Sequence, residues 1–350
     1  MDNTKKVFRE VRADAMLVSS PDLRRYLTGF ASSFGFVYVD AQESILFTDP
    51  RYAEGARTAL KNSFVAVEVA QNEETVLDYI KSKKIKTIAV PLERLTLREY
   101  ESLKKKKFRI ADCMPALRKA MSVKSEEERQ CIAKASQIAE RAFLALLKEL
   151  KEGMTESETA GLLEYLMRKN GAEDRSFETI AAFGKNTSVP HHAAGEDKLI
   201  KGLPVLLDFG CKWQGYCSDI TRTFLFGESS DEEFKTVYQN VLNAHKIAAE
   251  GIHEGMSGKA ADALARDYLK RFGLDKFFTH SLGHGVGVNI HEEPRLSPSA
   301  DDVLQSGMVF SIEPGVYFEG KFGIRIEDTV CLSGGAVHSF MSTEKGLMVI

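Results

Sequence analysis

Glu152-Gly153-Met154-Thr155 returns, nearly unchanged, as Glu254-Gly255-Met256-Ser257. Each copy follows one long helical stretch and opens another, with Thr155 and Ser257 placed to cap the second helix. Those second helices close at Gly171 and Gly273. Gly153 to Gly255 and Gly171 to Gly273 are both 102 residues apart, and an offset that does not drift points to duplication rather than coincidence. Two related αβ halves with a cleft between them are the predicted architecture of this region.

Upstream, the texture of the sequence changes near residue 120. Before it, short β-rich runs (Ala15 to Val18, Phe36 to Val39, Ser44 to Phe47, Thr87 to Val90) alternate with helical stretches such as Pro50 to Leu60 and Glu74 to Lys81. Residues 1–120 therefore read as an α/β domain and residues 121–350 as a second, α+β domain. The boundary falls where Pro115 precedes a capping box, Ser125 with Glu128, that opens a helix running to about Leu150. The Lys104 to Lys107 run lies at a helix end, where cations suit the dipole, and is given no function.

Composition removes several classes of function. The 350 residues carry 47 Lys and Arg against 50 Asp and Glu, a formal charge of -3. Such a balance gives no electrostatic reason to expect nucleic acid or an anionic membrane as partner, so a small molecule is expected. The N-terminal segment lacks an apolar core of signal-peptide type and no run reaches the length of a membrane span. A soluble, cytoplasmic protein is the expectation. Its five cysteines (Cys113, Cys131, Cys211, Cys217, Cys331) are scattered without zinc-knuckle spacing and read as free, buried thiols.

The chemistry lies in the second domain. Pro204-Val-Leu-Leu-Asp208-Phe-Gly reads as a buried strand ending at a carboxylate, and Tyr216-Cys-Ser-Asp219-Ile-Thr-Arg-Thr-Phe224 as its return strand after a turn at Gly215. One such acid would be an ordinary strand-end carboxylate. Two in one hairpin repel across the sheet unless a cation lies between them. Further on, Thr279 to Pro294 sets His280, His284 and His291 among glycines, and with His191 and His192 this accounts for five of the eight histidines. Core packing does not need that concentration. Met308-Val-Phe-Ser-Ile-Glu313 is apolar up to its acid, and an unpaired buried carboxylate is costly enough to require a cation or a proton. In Gly323-Ile-Arg325-Ile-Glu327, strand alternation sends Arg325 and Glu327 to one face, so the two share a site. Asp208, Asp219, Glu313 and Glu327 with His284 form a set whose formal charge of about -4 would balance two divalent ions. Oxygen-rich ligation with one nitrogen suits manganese, cobalt, iron or zinc.

In the order Asp208, Asp219, His284, Glu313, Glu327, and within Leu-Asp-Phe-Gly, Ser-Asp-Ile-Thr-Arg-Thr, Gly-His-Gly-Val-Gly, Ile-Glu-Pro-Gly and Arg-Ile-Glu-Asp, the set resembles the ligands of the pita-bread metallopeptidases. The His-Glu-Glu-Pro segment at His291 and the smaller N-terminal domain narrow the resemblance to the Xaa-Pro peptidases, prolidase and aminopeptidase P. The resemblance implies a pita-bread catalytic domain with a pseudo-twofold repeat and hydrolysis by a water activated between two metal ions, manganese or cobalt before zinc or iron. It also implies that Asp219 and Glu327 bridge the ions, that Asp208 binds one, and that His284 and Glu313 bind the other. Glu313 would further pass a proton to the leaving nitrogen. His192, His280 and His291 match positions that bond the substrate or the tetrahedral intermediate, and Arg325 one that orients its neighbours. His191 has no assigned role. A homodimer is implied, with the N-terminal domain as its contact and as a wall of the cleft.

A methionine aminopeptidase would not need the first 120 residues or the His-Glu-Glu-Pro segment. A creatinase-like enzyme or a binding protein on the same fold would not need all five ligands. Substrates are expected to be small peptides with proline second. Arg295, four residues after His291, could grip the free carboxylate of a dipeptide, which leans the reading toward a dipeptidase over an aminopeptidase for longer chains.

Overall fold

Residues 3–350 are described by a computed structural model, and the chain divides between Met121 and Ser122. The first unit holds α1 (Asn3–Phe8), β1 (Ala15–Val18), α2 (Pro21–Thr28), β2 (Phe36–Asp40), β3 (Ser44–Thr48), α3 (Pro50–Ala59), β4 (Ala66–Val69), α4 (Glu73–Ser82), β5 (Thr87–Val90), α5 (Leu97–Lys105) and β6 (Arg109–Asp112), and α6 (Met114–Ser122) reaches the division. Its sheet has the order β4-β3-β2-β1-β5-β6, antiparallel in the middle and parallel toward both edges. The central strands β1, β2 and β3 are buried at every position, as their unbroken apolar runs require. The Lys104 to Lys107 run caps α5, and Lys106 meets Glu74 and Asp78 of α4 on the surface.

The second unit is built twice over. Its first half runs α7 (Glu126–Glu149), α8 (Glu156–Lys169), β7 (Asp174–Arg175), β8 (Ile180–Phe183), β9 (Leu203–Phe209), β10 (Cys211–Trp213), β11 (Tyr216–Cys217) and β12 (Ile220–Phe226). The second runs α9 (Glu232–Gly251), α10 (Gly258–Lys270), β13 (Gly283–Gly285), β14 (Glu292–Leu296), β15 (Val309–Ile312), β16 (Gly315–Phe318), β17 (Phe322–Arg325), β18 (Asp328–Ser333) and β19 (Ala336–Ser339). In each, two helices back an antiparallel sheet: β12-β9-β8 in one, β14-β13-β15-β18-β19 in the other. The helix junctions repeat in detail. Thr155 accepts from Glu158 N and Ser257 from Ala260 N, while Gly153 and Gly255 take φ of 90° and 86°. Thr155 bridges to Lys198 in one half and Ser257 to Val303 in the other. Each half has its own apolar core, with Phe143 packed on Phe209 and Phe224 in the first and Phe234 against Phe322 in the second. The capping box at Ser125 is closed in both directions, which fixes where α7 begins.

Candidate metal centre

β9 brings in the first acid. Asp208 stands opposite Thr221 on β12 and opposite Ile180 on β8, and its Oδ2 accepts from Arg325 Nη2 at 2.5 Å. The sequence predicts one hairpin with Asp208 facing Asp219, but the structure splits it. Gly210 passes so close to the Ser218 carbonyl that a Cβ there would lie 1.9 Å from its oxygen. Beyond this crossing β10 and β11 leave for a separate sheet with β7, turning at Gln214 and Gly215, both at positive φ. Asp219 comes immediately before β12, two positions from Thr221 and therefore on Thr221's face, so the acids are diagonal neighbours rather than opposed. Thr329 holds Asp219 from both sides, accepting from its amide at 3.0 Å and donating to its carbonyl at 2.7 Å.

The second half supplies His284, Glu313 and Glu327. His284 lies on the short β13, where a Cβ at Gly283 would meet the Ser311 carbonyl at 1.9 Å. Only glycine lets the two backbones approach so closely. His284 Nδ1 faces the Gly285 carbonyl at 3.2 Å, which turns Nε2 toward Glu313 Oε1 at 3.3 Å and Asp219 Oδ2 at 3.6 Å. Ser311 accepts from the His284 amide and donates to Glu313, so one hydroxyl sets both neighbours. Glu327 accepts from Thr221 Oγ1 at 2.6 Å, and Arg222 donates to its carbonyl. Ligand atoms of Asp219, His284 and Glu327 all lie within 4.8 Å of one another. The predicted strand alternation of Arg325 and Glu327 is interrupted, because β17 ends at Arg325 and β18 begins at Asp328. The two still meet, through Thr221, which accepts from Arg325 Nε.

Crowding acids in a buried place perturbs them strongly. Burial, then repulsion from Glu327, Asp208 and Glu313, pushes Asp219 well above the usual carboxylate range. Glu327 is raised likewise, by burial and then by Glu313 and Asp208. Asp208 is raised by burial in spite of the Arg325 guanidinium beside it. Glu313 goes the other way: burial works to raise it, but the bond and charge of His284, with His280 and Arg325, bring it down to about 2. His284 rises correspondingly: burial works to lower it, but the bond and charge of Glu313, with the Gly285 carbonyl and Asp208, together outweigh burial.

Around this centre the remaining expected residues are distributed as follows. His280 directs Nδ1 at the Ser281 carbonyl and Nε2 at Tyr317 Oη, each at 2.9 Å, and burial lowers its pKa. The carbonyl fixes the ring hydrogen on Nδ1, so Tyr317 donates to Nε2 while accepting from Arg325 Nη1 at 2.6 Å. The edge of the His291 ring meets His284 with 4.3 Å between centroids, and burial followed by the His284 charge lowers its pKa. Arg295 is exposed on β14 directly opposite His284, so their side chains leave the same face. His192 is bonded to Glu156 at 2.7 Å, and His191 beside it is exposed.

The chain matches the model of metallopeptidase family M24 over residues 130–333 and that of the creatinase/prolidase N-terminal domain over residues 1–120. The chain belongs to metallopeptidase family M24. Among sequences, it is 34% identical to a protein of Pyrococcus furiosus named Xaa-Pro dipeptidase, covering 99% of each chain. Among solved structures, an Xaa-Pro dipeptidase from Bacillus anthracis superposes with TM-score 0.93 at 34% identity over 99% of this chain and 98% of that one. An X-Pro aminopeptidase from Thermotoga maritima gives 0.90 at 35% identity over 98% and 99%. The second unit thus has the pita-bread fold of family M24, and it follows a creatinase-type N-terminal domain in the sequence. Divalent metal is the cofactor that membership of family M24 implies, and the residues fit it. Asp208 Oδ1 and Glu327 Oε1 are buried without a hydrogen-bond partner among the described residues. Two orphaned acid oxygens beside mutually repelling carboxylates are satisfied by cations rather than by donors.

Several groups that organise this M24 centre went unread in the sequence. Ser311 and Tyr317 lie at even spacing from Glu313, a period-two signal that could have placed Ser311 on the Glu313 face. Thr221 lies two residues beyond Asp219 and was open to the same inference. Glu156 had no signal, because an acid in the first turn of a helix already has a sufficient reason to be there.

Proposed function

We propose that the protein hydrolyses the bond between a first residue and a following proline, and that its preferred substrates are Xaa-Pro dipeptides. The observation that carries this reading is the set of four carboxylates and one imidazole, Asp219 and Glu327 buried and the others half-buried, with two orphaned oxygens, in a chain 34% identical along its length to a protein named Xaa-Pro dipeptidase. Asp208, Asp219, His284, Glu313 and Glu327 would hold two divalent ions, whose contribution when bound is to polarise the scissile carbonyl and acidify a water. Manganese or cobalt suits the oxygen-rich set best, with zinc or iron as alternatives. Glu313 is the acid that would hand a proton to the proline nitrogen as it departs. His192 would bond the substrate and His291 the developing oxyanion, while Arg325, tied to Asp208, Thr221 and Tyr317, keeps the acids in place. His280, also expected at the substrate, has both ring nitrogens engaged by Ser281 and Tyr317 and would act through Tyr317 on Arg325. The exposed Arg295, on the His284 face, supports recognition of a free carboxylate on the proline. Five cysteines, four of them buried and none in a disulfide among the described residues, suit a reducing compartment, and we place the enzyme in the cytoplasm.

The test compares kcat/KM on an Xaa-Pro dipeptide and an Xaa-Pro tripeptide for wild type and Arg295→Ser, before and after chelation. Chelation should abolish hydrolysis and manganese should restore it, with Arg295→Ser raising KM for the dipeptide alone. Full activity without metal sinks the metallopeptidase mechanism. Equal loss on both substrates, or wild-type preference for the tripeptide, moves the reading to an aminopeptidase.

A further inference from the structure

Glu156 opens α8 and is fully buried, yet the helix does not need it as a cap. Thr155 and Glu158 already close a capping box there. The Glu156 carboxylate instead turns to the end of β8 and the segment that follows it, and collects four donors from them. Oε1 accepts from Phe183 N at 2.8 Å and Asn186 Nδ2 at 3.0 Å; Oε2 accepts from Gly195 N at 3.0 Å and faces His192 Nε2 at 2.7 Å. The same segment is pinned beside the acid by backbone bonds, Glu156 N to the Asp197 carbonyl and Ser157 N to the Gly195 carbonyl. His192 therefore stands on a fixed base, and one atom of that base decides the state of its ring.

We propose that Glu156 is a positioning residue that holds His192 in the tautomer with hydrogen on Nε2. A carboxylate only accepts, so the ring nitrogen facing it carries the hydrogen and the neutral imidazole keeps its lone pair on Nδ1. An acid behind a working histidine fixes both the orientation of the ring and the nitrogen offered in front. The inference rests on the Xaa-Pro peptidase reading in one respect, that His192 serves the substrate, and on that reading the substrate meets an acceptor at Nδ1. Glu156→Gln keeps the shape and reverses the instruction. Facing Phe183 N and Asn186 Nδ2 the amide nitrogen would meet two donors, and facing His192 only one, the Gly195 amide, so it turns to His192, which answers by moving its hydrogen to Nδ1. The Gly195 amide loses its acceptor in the exchange.

Nitrogen-15 NMR of histidine-labelled, zinc-loaded enzyme, with His192 assigned by its loss in His192→Ala, reads the tautomer directly. Wild type should show hydrogen on Nε2 and Glu156→Gln hydrogen on Nδ1. On an Xaa-Pro dipeptide, Glu156→Gln should lower kcat/KM about 10- to 100-fold, and adding it to His192→Ala should cost nothing more. Additive losses would make Glu156 a structural residue and overturn the proposal. So would an Nδ1 hydrogen in wild type, a measurement that stands even if the variant does not fold. A His192→Ala enzyme with full activity overturns it as well. Failure of the peptidase reading shows separately, as a wild-type enzyme inert toward Xaa-Pro peptides, and the NMR result then still decides the tautomer.

Discussion

Thr221 stands opposite Asp208 on β12, and through its one hydroxyl it accepts from Arg325 Nε and donates to Glu327 Oε2. Thr221→Val keeps the shape and removes the hydroxyl, leaving a guanidinium N–H and an acid oxygen buried without partners. We expect a loss of about 2 kcal/mol in denaturant unfolding, the usual cost of stranding buried polar groups. We also expect at least a tenfold fall in kcat/KM while the metal content by elemental analysis stays unchanged. Wild-type stability and activity would show that the bridge is incidental. The contrast between Thr221 and the acids explains what could be read at this scale. An acid inside an apolar run, as at Asp208 or Glu313, has no cheap explanation and announces itself. A threonine in a strand is ordinary on β-propensity alone, and Tyr317 and Ser311 are hidden in the same way.

Among elements, those whose burial is uniform were the legible ones. The runs at Ala15 to Val18 and Thr87 to Val90 match β1 and β5 residue for residue, and the box at Ser125 marks the start of α7. The edge strands β4 and β6 carry no signal in the sequence because they are short and have no buried residue, so neither an apolar run nor clean alternation marks them. The split of β9 to β12 was missed for a different reason: the crossing at Gly210 is a contact eight residues away in sequence, and local patterning carries no trace of it. Helix α9 carries a group with a measurable consequence. His245 is buried there, neither ring nitrogen has a partner among the described residues, and its pKa is pushed down to about 4. Burial is the main cause; Arg222, Lys345 and Lys246 add to it and Asp328 opposes it. A histidine lowered in the folded state contributes its full stability above its unfolded pKa of about 6.5 and loses it as pH falls toward the folded value. Stability should therefore drop between about pH 6.5 and pH 4, by about 3 kcal/mol from this group. His245→Leu should flatten that limb in urea unfolding followed against pH. An unchanged limb would assign the acid sensitivity elsewhere.

At the scale of the whole molecule, the repeat and the proposed metal centre belong together. Asp208 and Asp219 come from the first half of the second unit, and His284, Glu313 and Glu327 from the second, so the centre exists only while the halves are held together. In the sequence this was visible as a constant glycine offset, although not how the two sheets bring their acids to one point. Without cations the halves meet across carboxylates that burial and mutual repulsion have raised, which opposes the folded state. Ligands that bind only the folded form stabilise it by mass action, about 2.7 kcal/mol at a free concentration one hundred times Kd. For a unit of this size each kcal/mol moves Tm by about 2–4 °C, so manganese or cobalt should raise Tm by about 5–10 °C over the chelated protein. All five residues lie in Ser122–Ile350 and none in the first unit. If calorimetry resolves two transitions, metal should move one and leave the other. Asp219→Asn should fold, since its strands and the Thr329 contacts to its backbone remain, yet lose most of the metal-dependent shift. A Tm indifferent to metal in wild type would mean that the acids are held by something other than cations, and the assignment of all five as ligands would fall with it.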